Sequence, residues 1–168
     1  MDLSQITNAK VYDQDNVLSG LVEKFSIEGR KNTTVTHKTL GQVGILELPA
    51  RPIQAIKGKV MANHLDRELD VSMMNPTVLQ DWQMHKKVDV SDAGGFSAEK
   101  SHTLVWHAKF YVIGDDGSDM ELGEKAQLEY EISCPFLSIG VLGDADPLWM
   151  LDVYNDIHTI NGQNVWPD

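Results

Sequence analysis

An alternation of apolar and polar residues runs through Ser101-His102-Thr103-Leu104-Val105-Trp106-His107-Ala108-Lys109-Phe110-Tyr111-Val112-Ile113. A second alternation begins at residue 125. Its apolar positions are Ala126, Leu128, Tyr130, Ile132 and Cys134. Because successive side chains of a strand point to opposite faces, both stretches predict strands with one buried and one solvated face, as in an antiparallel sheet. We place these strands at residues 101–113 and 125–139.

Most of the remaining chain is also predicted to be strand. Residues 8–13, 17–28 and 53–64 have strand-like composition. Pro49 and Pro52 are predicted to enclose a turn that precedes the last of these strands.

One helix is predicted where Asn75, a good N-cap, is followed by Pro76, which suits the first helical position. The apolar residues that would share one face of this helix are Val78, Leu79 and Trp82. The expected fold class is therefore mainly β: an antiparallel β-barrel or sandwich with one short flanking helix.

Residues 29–48 differ from the flanking strands because they are polar and rich in threonine. Threonine favours extended structure, so we predict an exposed arm or long hairpin rather than a compact loop. Gly41 and Gly44 interrupt this run. No change of composition marks a second domain, so residues 1–168 are predicted to form a single domain that carries this arm.

The formal net charge of −11 argues against a protein that binds nucleic acid by neutralising phosphates. Solubility alone can account for such a charge. A surface that stays close to DNA without binding it is the second interpretation. No apolar run approaches the roughly 20 residues that cross a bilayer, and the first residues lack the features of a signal peptide.

No constellation of catalytic or metal-binding residues stands out. Cys134 is the only cysteine and is predicted to be a small buried apolar residue. Residues 114–119 are acidic, but they lack the ligand spacing and final glutamate of an EF-hand, so we predict an acidic hairpin turn. Gly94 and Gly95 are assigned to a flexible connector. We predict no cofactor, no metal and no enzymatic activity.

Trp166, close to the end of the chain, is the aromatic residue that we expect to be exposed and to contact a partner.

Two stretches near the ends of the chain carry a family resemblance. The first is Ile6-Thr7-Asn8-Ala9-Lys10-Val11-Tyr12-Asp13, followed by Leu18-Ser19-Gly20-Leu21-Val22-Glu23-Lys24-Phe25-Ser26-Ile27. The second is Trp149-Met150-Leu151-Asp152-Val153-Tyr154-Asn155-Asp156-Ile157-His158-Thr159-Ile160-Asn161-Gly162-Gln163-Asn164-Val165. In order and position they resemble the major tail tube proteins of contractile-tailed bacteriophages, a family also found in phage-derived contractile bacteriocins.

The resemblance implies a structural function. Hexameric rings would stack into a hollow tube inside a contractile sheath, and the tube would form the channel for genome delivery. The implied partners are further copies of the chain, the tail sheath, tape-measure, baseplate and tail terminator proteins, and double-stranded DNA that passes without binding. The implied location is the virion tail, after assembly in the host cytoplasm, with no membrane anchor.

The resemblance also assigns two surfaces. The candidates for the channel lining are Lys57, Lys59, His107, Lys109, Gln127, Glu129, Glu131 and Ser133, with the lysines on a neighbouring strand partly balancing the glutamates. The candidates for contact between rings lie in the arm: Thr33, Thr34, Thr36, His37, Lys38, Gly41 and Gly44. The arm departs from the family here, because residues 40–44 stand where family members often carry a compact Ala-Gly-Gly segment.

Two alternatives stay open at this point. One is a tube protein of a bacteriocin or of a secretion-type contractile injection machine. The other, from a different functional class, is a monomeric β-barrel that binds a small ligand.

Overall fold

The computed structural model describes residues 1–14, 16–18, 21–41, 43–63, 66–117 and 121–166. Its elements, in chain order, are β1 (Leu3–Asp13), β2 (Asn16–Val17), β3 (Val22–Ile27), β4 (Asn32–His37), β5 (Leu46–Ile53), β6 (Ile56–Asn63), α1 (Arg67–Met74), β7 (Gln80–Asp92), β8 (Gly95–Asp115), β9 (Gln127–Val141), β10 (Trp149–Asp152), β11 (Ile157–Ile160) and β12 (Gln163–Asn164).

Most of these strands form one ten-stranded antiparallel sheet. Its order is β12–β11–β10–β9–β8–β7–β1–β2, and β6 joins it by pairing with β9, while β3 pairs with β6. Strands β4 and β5 pair with each other in a separate two-stranded sheet. The predicted fold class, mainly antiparallel β with one short helix, is confirmed, and the described strands leave the sheet open.

The sheet branches at β9. One side of β9 pairs with β8, while on the other side residues 127–134 pair with β6 and residues 136–139 pair with β10. Pro135 lies at the branch, beside a register shift against β8. Proline has no N–H to contribute to the ladder, so it suits such a β-bulge.

The bulge changes which alternate residues of β9 face inward. The buried residues are Tyr130, Ile132 and Cys134 before it, and Leu137 and Ile139 after it. The alternation in the sequence does not predict this change of face. The burial predicted for Cys134 is confirmed, since it is 3% exposed, and burial raises the pKa of its thiol to about 12.

The core is formed mainly by inward-facing residues of the sheet strands, and α1 adds Leu69 and Met73. Trp82, Phe110, Tyr130 and Met73 are each no more than 1% exposed. The rings of Trp82 and Phe110 meet edge to face with centroids 5.1 Å apart, and Phe25 from β3 lies 5.8 Å from Phe110. The buried face predicted for residues 101–113 is confirmed at Ala108, Phe110 and Val112, which are buried in this core.

The predicted helix was wrong in position. The helix spans Arg67–Met74, and its N-cap is Asp66, whose carboxylate accepts hydrogen bonds from the backbone N–H of Glu68 at 2.8 Å and Leu69 at 3.1 Å. Asn75 instead follows the helix, where its side-chain oxygen accepts from the N–H of Thr77 at 3.0 Å. In an N-cap and in this short turn alike, a side-chain oxygen accepts a hydrogen bond from a backbone N–H two or three residues later. Sequence alone therefore did not distinguish the two.

Two other predictions, about a turn and a connector, were wrong. Pro49 and Pro52 do not enclose a turn but lie within β5, which among the described strands pairs only with β4. Proline is tolerated in such an edge strand because its outward side needs no donor. Gly94 and Gly95 are not a flexible connector but part of the tight turn between β7 and β8, where the Gly94 N–H donates to Asp92 Oδ1 at 2.8 Å and Gly95 has φ +105°.

No helix among the described residues is long and apolar enough to cross a membrane. Within the acidic segment 114–119, the Gly117 N–H donates to Asp115 Oδ1 at 2.9 Å, as in a turn. Ser118 and Asp119 of that segment lie outside the described residues.

Substitution of Phe110 by alanine is expected to lower the free energy of unfolding by about 3–5 kcal/mol, because it removes a fully buried ring and leaves a cavity beside Trp82. Phe96→Ala is the matched control. Phe96 is 63% exposed, so its loss is expected to change the free energy of unfolding by less than about 0.5 kcal/mol. Urea denaturation of unassembled subunits measures both, and equal losses would contradict this placement of the core.

Candidate assembly and channel surfaces

The residues assigned to the channel all lie on one face of the sheet. Lys57 pairs with Ser133 and Lys59 pairs with Glu131 across β6 and β9, while Tyr111 of β8 pairs with Ser133 from the other side. Directly paired residues of an antiparallel sheet point to the same face. The intervening pairs, Val60 with Tyr130 and Gly58 with Ile132, point to the core. We call the first side the polar face.

Lys59 is the centre of an ion-pair network on the polar face. Its Nζ lies 2.9 Å from Asp116 Oδ2 and 3.1 Å from Glu129 Oε1. The hydrogen bonds to Asp116 and then to Glu129 raise the pKa of Lys59, and the bond from Lys59 lowers the pKa of Asp116. The Lys59 side chain is 44% exposed. Such exposed pairs contribute little to stability, so the network mainly sets the charge pattern of the surface.

Gln127 lies at the end of the same row of β9. Its side-chain amide donates a hydrogen bond to Glu23 Oε2. The other oxygen of that carboxylate, Oε1, accepts a hydrogen bond from Lys125 Nζ at 3.1 Å.

A second cluster on the polar face surrounds Phe136. The imidazole of His107 meets the Phe136 ring edge to face at 5.1 Å between centroids, and Lys109 Nζ lies 5.1 Å from the centre of that ring. His107 Nε2 lies 2.5 Å from Asp81 Oδ1. Asp81 is not among the predicted channel residues because the sequence predicts a helix there. Phe136 is not among them because the bulge moves it onto this face.

The predicted channel residues are not acidic as a group. They comprise three lysines and two glutamates, so their formal charge is +1 with histidine neutral. The remaining residues therefore carry −12, which with +1 gives the chain's net charge of −11. Asp81 and Asp116 lie on the same face and bring the sum to −1, so the polar face carries charges of both signs, with Lys59 paired to Asp116 and Glu129.

The predicted arm corresponds to the β4–β5 hairpin and its connection. Thr33, Thr34, Thr36 and His37 lie in β4, and Lys38, Gly41 and Gly44 lie in the connection between the strands. The hairpin extends to Ile53, five residues beyond the predicted end of the arm. Its neck is closed by a hydrogen bond from the Gln54 N–H to the Lys31 carbonyl at 2.8 Å.

Several apolar side chains of the hairpin are exposed. They are Val35, Leu40, Val43, Ile45, Leu46 and Leu48. A polar arm needs no such residues for solubility, so they indicate a surface that contacts another chain.

The root of the hairpin contacts the C-terminal strands. The Arg30 guanidinium lies 4.6 Å above the centre of the Trp149 ring, and Trp149 Nε1 donates to His158 Nε2 at 3.1 Å. Beside them, residues of β5, β10 and β11 line a cleft of about 400 Å³. Trp166 also lines this cleft and is half-buried, so the expectation of an exposed Trp166 was wrong.

Among the described residues, no group of three or more His, Cys, Asp or Glu side chains is arranged to hold a metal ion.

A model of the phage tail tube protein FII family matches residues 4–168. The chain belongs to this family. It is a structural subunit of a tail tube and a component of the virion tail. The family does not favour the alternative of a monomeric ligand-binding barrel, and its members are structural proteins rather than enzymes.

Two solved structures share the fold of this tail tube subunit. A chain of the sheath–tube complex of an extracellular contractile injection system, PVC, in the extended state has a TM-score of 0.52 at 9% identity, covering 82% of this chain and 91% of that one. A chain of the PVC sheath/tube terminator in the extended state has a TM-score of 0.53 at 11% identity, covering 80% and 94%. No curated protein matches the sequence significantly.

The cluster at the hairpin root predicts a pH dependence of stability. Burial, and then the charge of Arg30, lower the pKa of His158 from its ordinary 6.5. The unfolded chain therefore binds a proton at a pH where folded His158 is still neutral. This contribution to stability is present above about pH 6.5 and is lost as pH falls through the folded-state pKa.

We expect the free energy of unfolding to fall less between about pH 7 and pH 5 in His158→Gln than in the unchanged chain. Glutamine keeps an oxygen that can accept from Trp149 Nε1 but does not titrate. Urea denaturation at both pH values measures the difference. His85, whose pKa burial also lowers, is present in both proteins and contributes equally. An identical pH dependence would contradict the assignment.

Proposed function

We propose that this subunit forms hexameric rings that stack into a hollow tube inside a contractile sheath, with the polar face lining the channel for genome delivery. The observation that carries the proposal is the sharing of one sheet face by all the predicted channel residues, opposite the core. One face of the sheet is thus free to line a water-filled channel while the other is packed within the subunit.

Free sheet edges support ring closure. Among the described strands, β3 pairs only with β6, and residues 3–11 of β1 pair only with β7. Unpaired edges are a hazard in a monomer, and a closed barrel removes them. Pairing of the β1 edge of one copy with the β3 edge of the next would join the sheets around the ring.

The charge pattern supports passage of DNA without binding. The formal charge of the lining sums to near zero, and Lys59 is held by Asp116 and Glu129. Phosphates would therefore displace few counterions there, which means little affinity.

The β4–β5 hairpin is proposed to reach the neighbouring ring. It stands apart from the main sheet and exposes apolar side chains at its strands and tip. The whole chain, residues 1–168, acts as one domain with this arm. The proposed partners are the sheath, baseplate, tail terminator and tape-measure proteins, after assembly in the host cytoplasm, and no enzymatic activity is involved.

Assembly of the purified chain tests the proposal directly. Mass photometry over a concentration series should show hexamers, and negative-stain microscopy of concentrated samples should show rings and tubes. A monomer at every concentration would overturn the proposed function.

Removal of the hairpin is expected to leave rings that do not stack. Replacing residues 33–52 by a two-residue turn keeps the Asn32–Ile53 pair and the neck bond between Gln54 and Lys31. Circular dichroism should show a folded subunit, and microscopy should show rings without tubes. Leu142→Ser removes a 61% exposed apolar residue outside the hairpin and should assemble normally. Tubes of normal length without the hairpin would contradict this role.

Replacement of both Glu129 and Glu131 by lysine is expected to slow DNA ejection while tubes still form. The change raises the formal charge of the predicted channel residues from +1 to +5, so phosphates would meet free cations along the channel. Ejection is followed by dye fluorescence of released DNA. Glu121→Lys with Asp144→Lys makes the same change in exposed loops and should not slow ejection. Normal ejection from the first particles would show that the polar face does not line the channel.

A further inference from the structure

The β4–β5 hairpin has one apolar and one polar face. Its register pairs Val35 with Leu48 and His37 with Leu46, and the intervening pairs are Thr34 with Pro49 and Thr36 with Glu47. Directly paired residues point to the same face, and successive residues of a strand point to opposite faces. We call the first face the leucine face; it carries Val35, His37, Leu46 and Leu48. We call the second the threonine face; it carries Thr34, Thr36, Glu47 and Pro49.

Both faces of the hairpin are exposed in the subunit. Every residue of the two faces is exposed, and the three aliphatic side chains of the leucine face keep 44–49% of their surface in water. The aliphatic residues of the connection, Leu40, Val43 and Ile45, are exposed more fully still. A two-stranded hairpin is only marginally stable in water unless an apolar face is packed against another surface. The leucine face is thus uncovered by the part of the chain that the structure describes.

The uncovered area is of the size that a contact between proteins needs. From their exposed fractions, the leucine face and the connection together present apolar surface on the order of 600 Å², whereas one partner in a stable interface contributes about 800 Å². Hairpins of one ring would act together on the next ring, so a single contact does not have to be stable alone. The area therefore suits a protein surface as the cover.

The charge of the hairpin favours a second copy of the chain as that cover. Residues 29–53 carry cations at the neck, Arg30, Lys31 and Arg51, a further cation near the tip, Lys38, and one carboxylate, Glu47. Their formal charge is +3, which leaves −14 on the rest of a chain whose net charge is −11. Two hairpins therefore repel each other, whereas a hairpin is attracted to the acidic body of another copy.

We propose that the hairpin of one subunit lays its leucine face on the body of a subunit in the neighbouring ring, while its threonine face stays in water. This contact, which rests on the proposed stacking of rings through the hairpin, divides the arm residues that the family resemblance assigns to contact between rings. His37 lies on the face that makes the contact, whereas Thr34 and Thr36 lie on the solvated face.

Cysteine probes at two successive residues of β4 test which face is covered. Val35→Cys places a thiol on the leucine face, and Thr36→Cys places one on the threonine face. In tubes of the purified chain, Val35→Cys is expected to react with a maleimide at least about tenfold more slowly than in rings below the concentration of tube formation, because a second copy excludes the reagent. Thr36→Cys should react equally fast in both. Cys134 is 3% exposed, and the unchanged chain gives its background rate.

Glutamine substitutions test what the leucine face contributes to stacking. Leu46→Gln with Leu48→Gln removes two apolar side chains and is expected to raise the concentration for half-maximal tube formation by about tenfold or more. Thr34→Gln with Thr36→Gln introduces the same side chains on the threonine face and should leave that concentration unchanged. Leu46→Ile with Leu48→Ile keeps the apolar surface and should also stack normally. Sedimentation of tubes gives these values, while mass photometry and circular dichroism verify that each variant folds and forms hexamers.

The outcomes distinguish this contact from the proposed function. Failure of the unchanged chain to form hexamers and tubes overturns the proposed function and the contact with it. Where tubes form, equal labelling of Val35→Cys in rings and tubes, slower labelling of Thr36→Cys in tubes, or normal stacking without Leu46 and Leu48 overturns only the contact by the leucine face. Protection of Val35→Cys that requires the sheath protein would identify the sheath as the cover and would overturn the second copy in that place.

Discussion

The pairing of β8 with β9 is the constraint on which the rest of the subunit depends. Their register places Ile132 opposite Val112 and leaves Glu131 on the other side of the sheet. A shift by one residue would exchange the buried and solvated side chains of the whole strand, at the cost of burying charged groups. Along its other edge β9 pairs with β6 and β10, and α1 follows β6 in the chain.

The polar face is organised by charge pairing that folding does not require. The network around Lys59 is exposed, and exposed ion pairs contribute little to the stability of a domain. Its consequence is a surface without a dominant sign of charge, although the chain carries −11. A surface of that kind suits close passage of a polyanion better than a cationic groove, which would bind it.

The subunit leaves several surfaces incomplete, and the proposed tube would cover them. The outer edges of β1 and β3 lack partners among the described strands, and the β4–β5 hairpin exposes leucines. Each is a hazard in a monomer, whereas the proposed contacts between copies would cover them. The hairpin root, held by Arg30 on Trp149, shows how an exposed hairpin is fixed to the body without a shared sheet.

The sequence by itself determined the features that depend on local pattern: the strands of the two alternations, the burial of Cys134, the separate threonine-rich segment and the family. Only the tertiary structure decided features that depend on residues distant in the chain. Asp66 and Asn75 both carry capping chemistry, and packing of Leu69 and Met73 selects the helix that Asp66 begins. The bond from Lys59 to Glu129 joins strands 70 residues apart, and the bulge beside Pro135 turns Phe136 onto the polar face. A period of two assigns residues to faces of one strand, but strand pairing determines which faces meet.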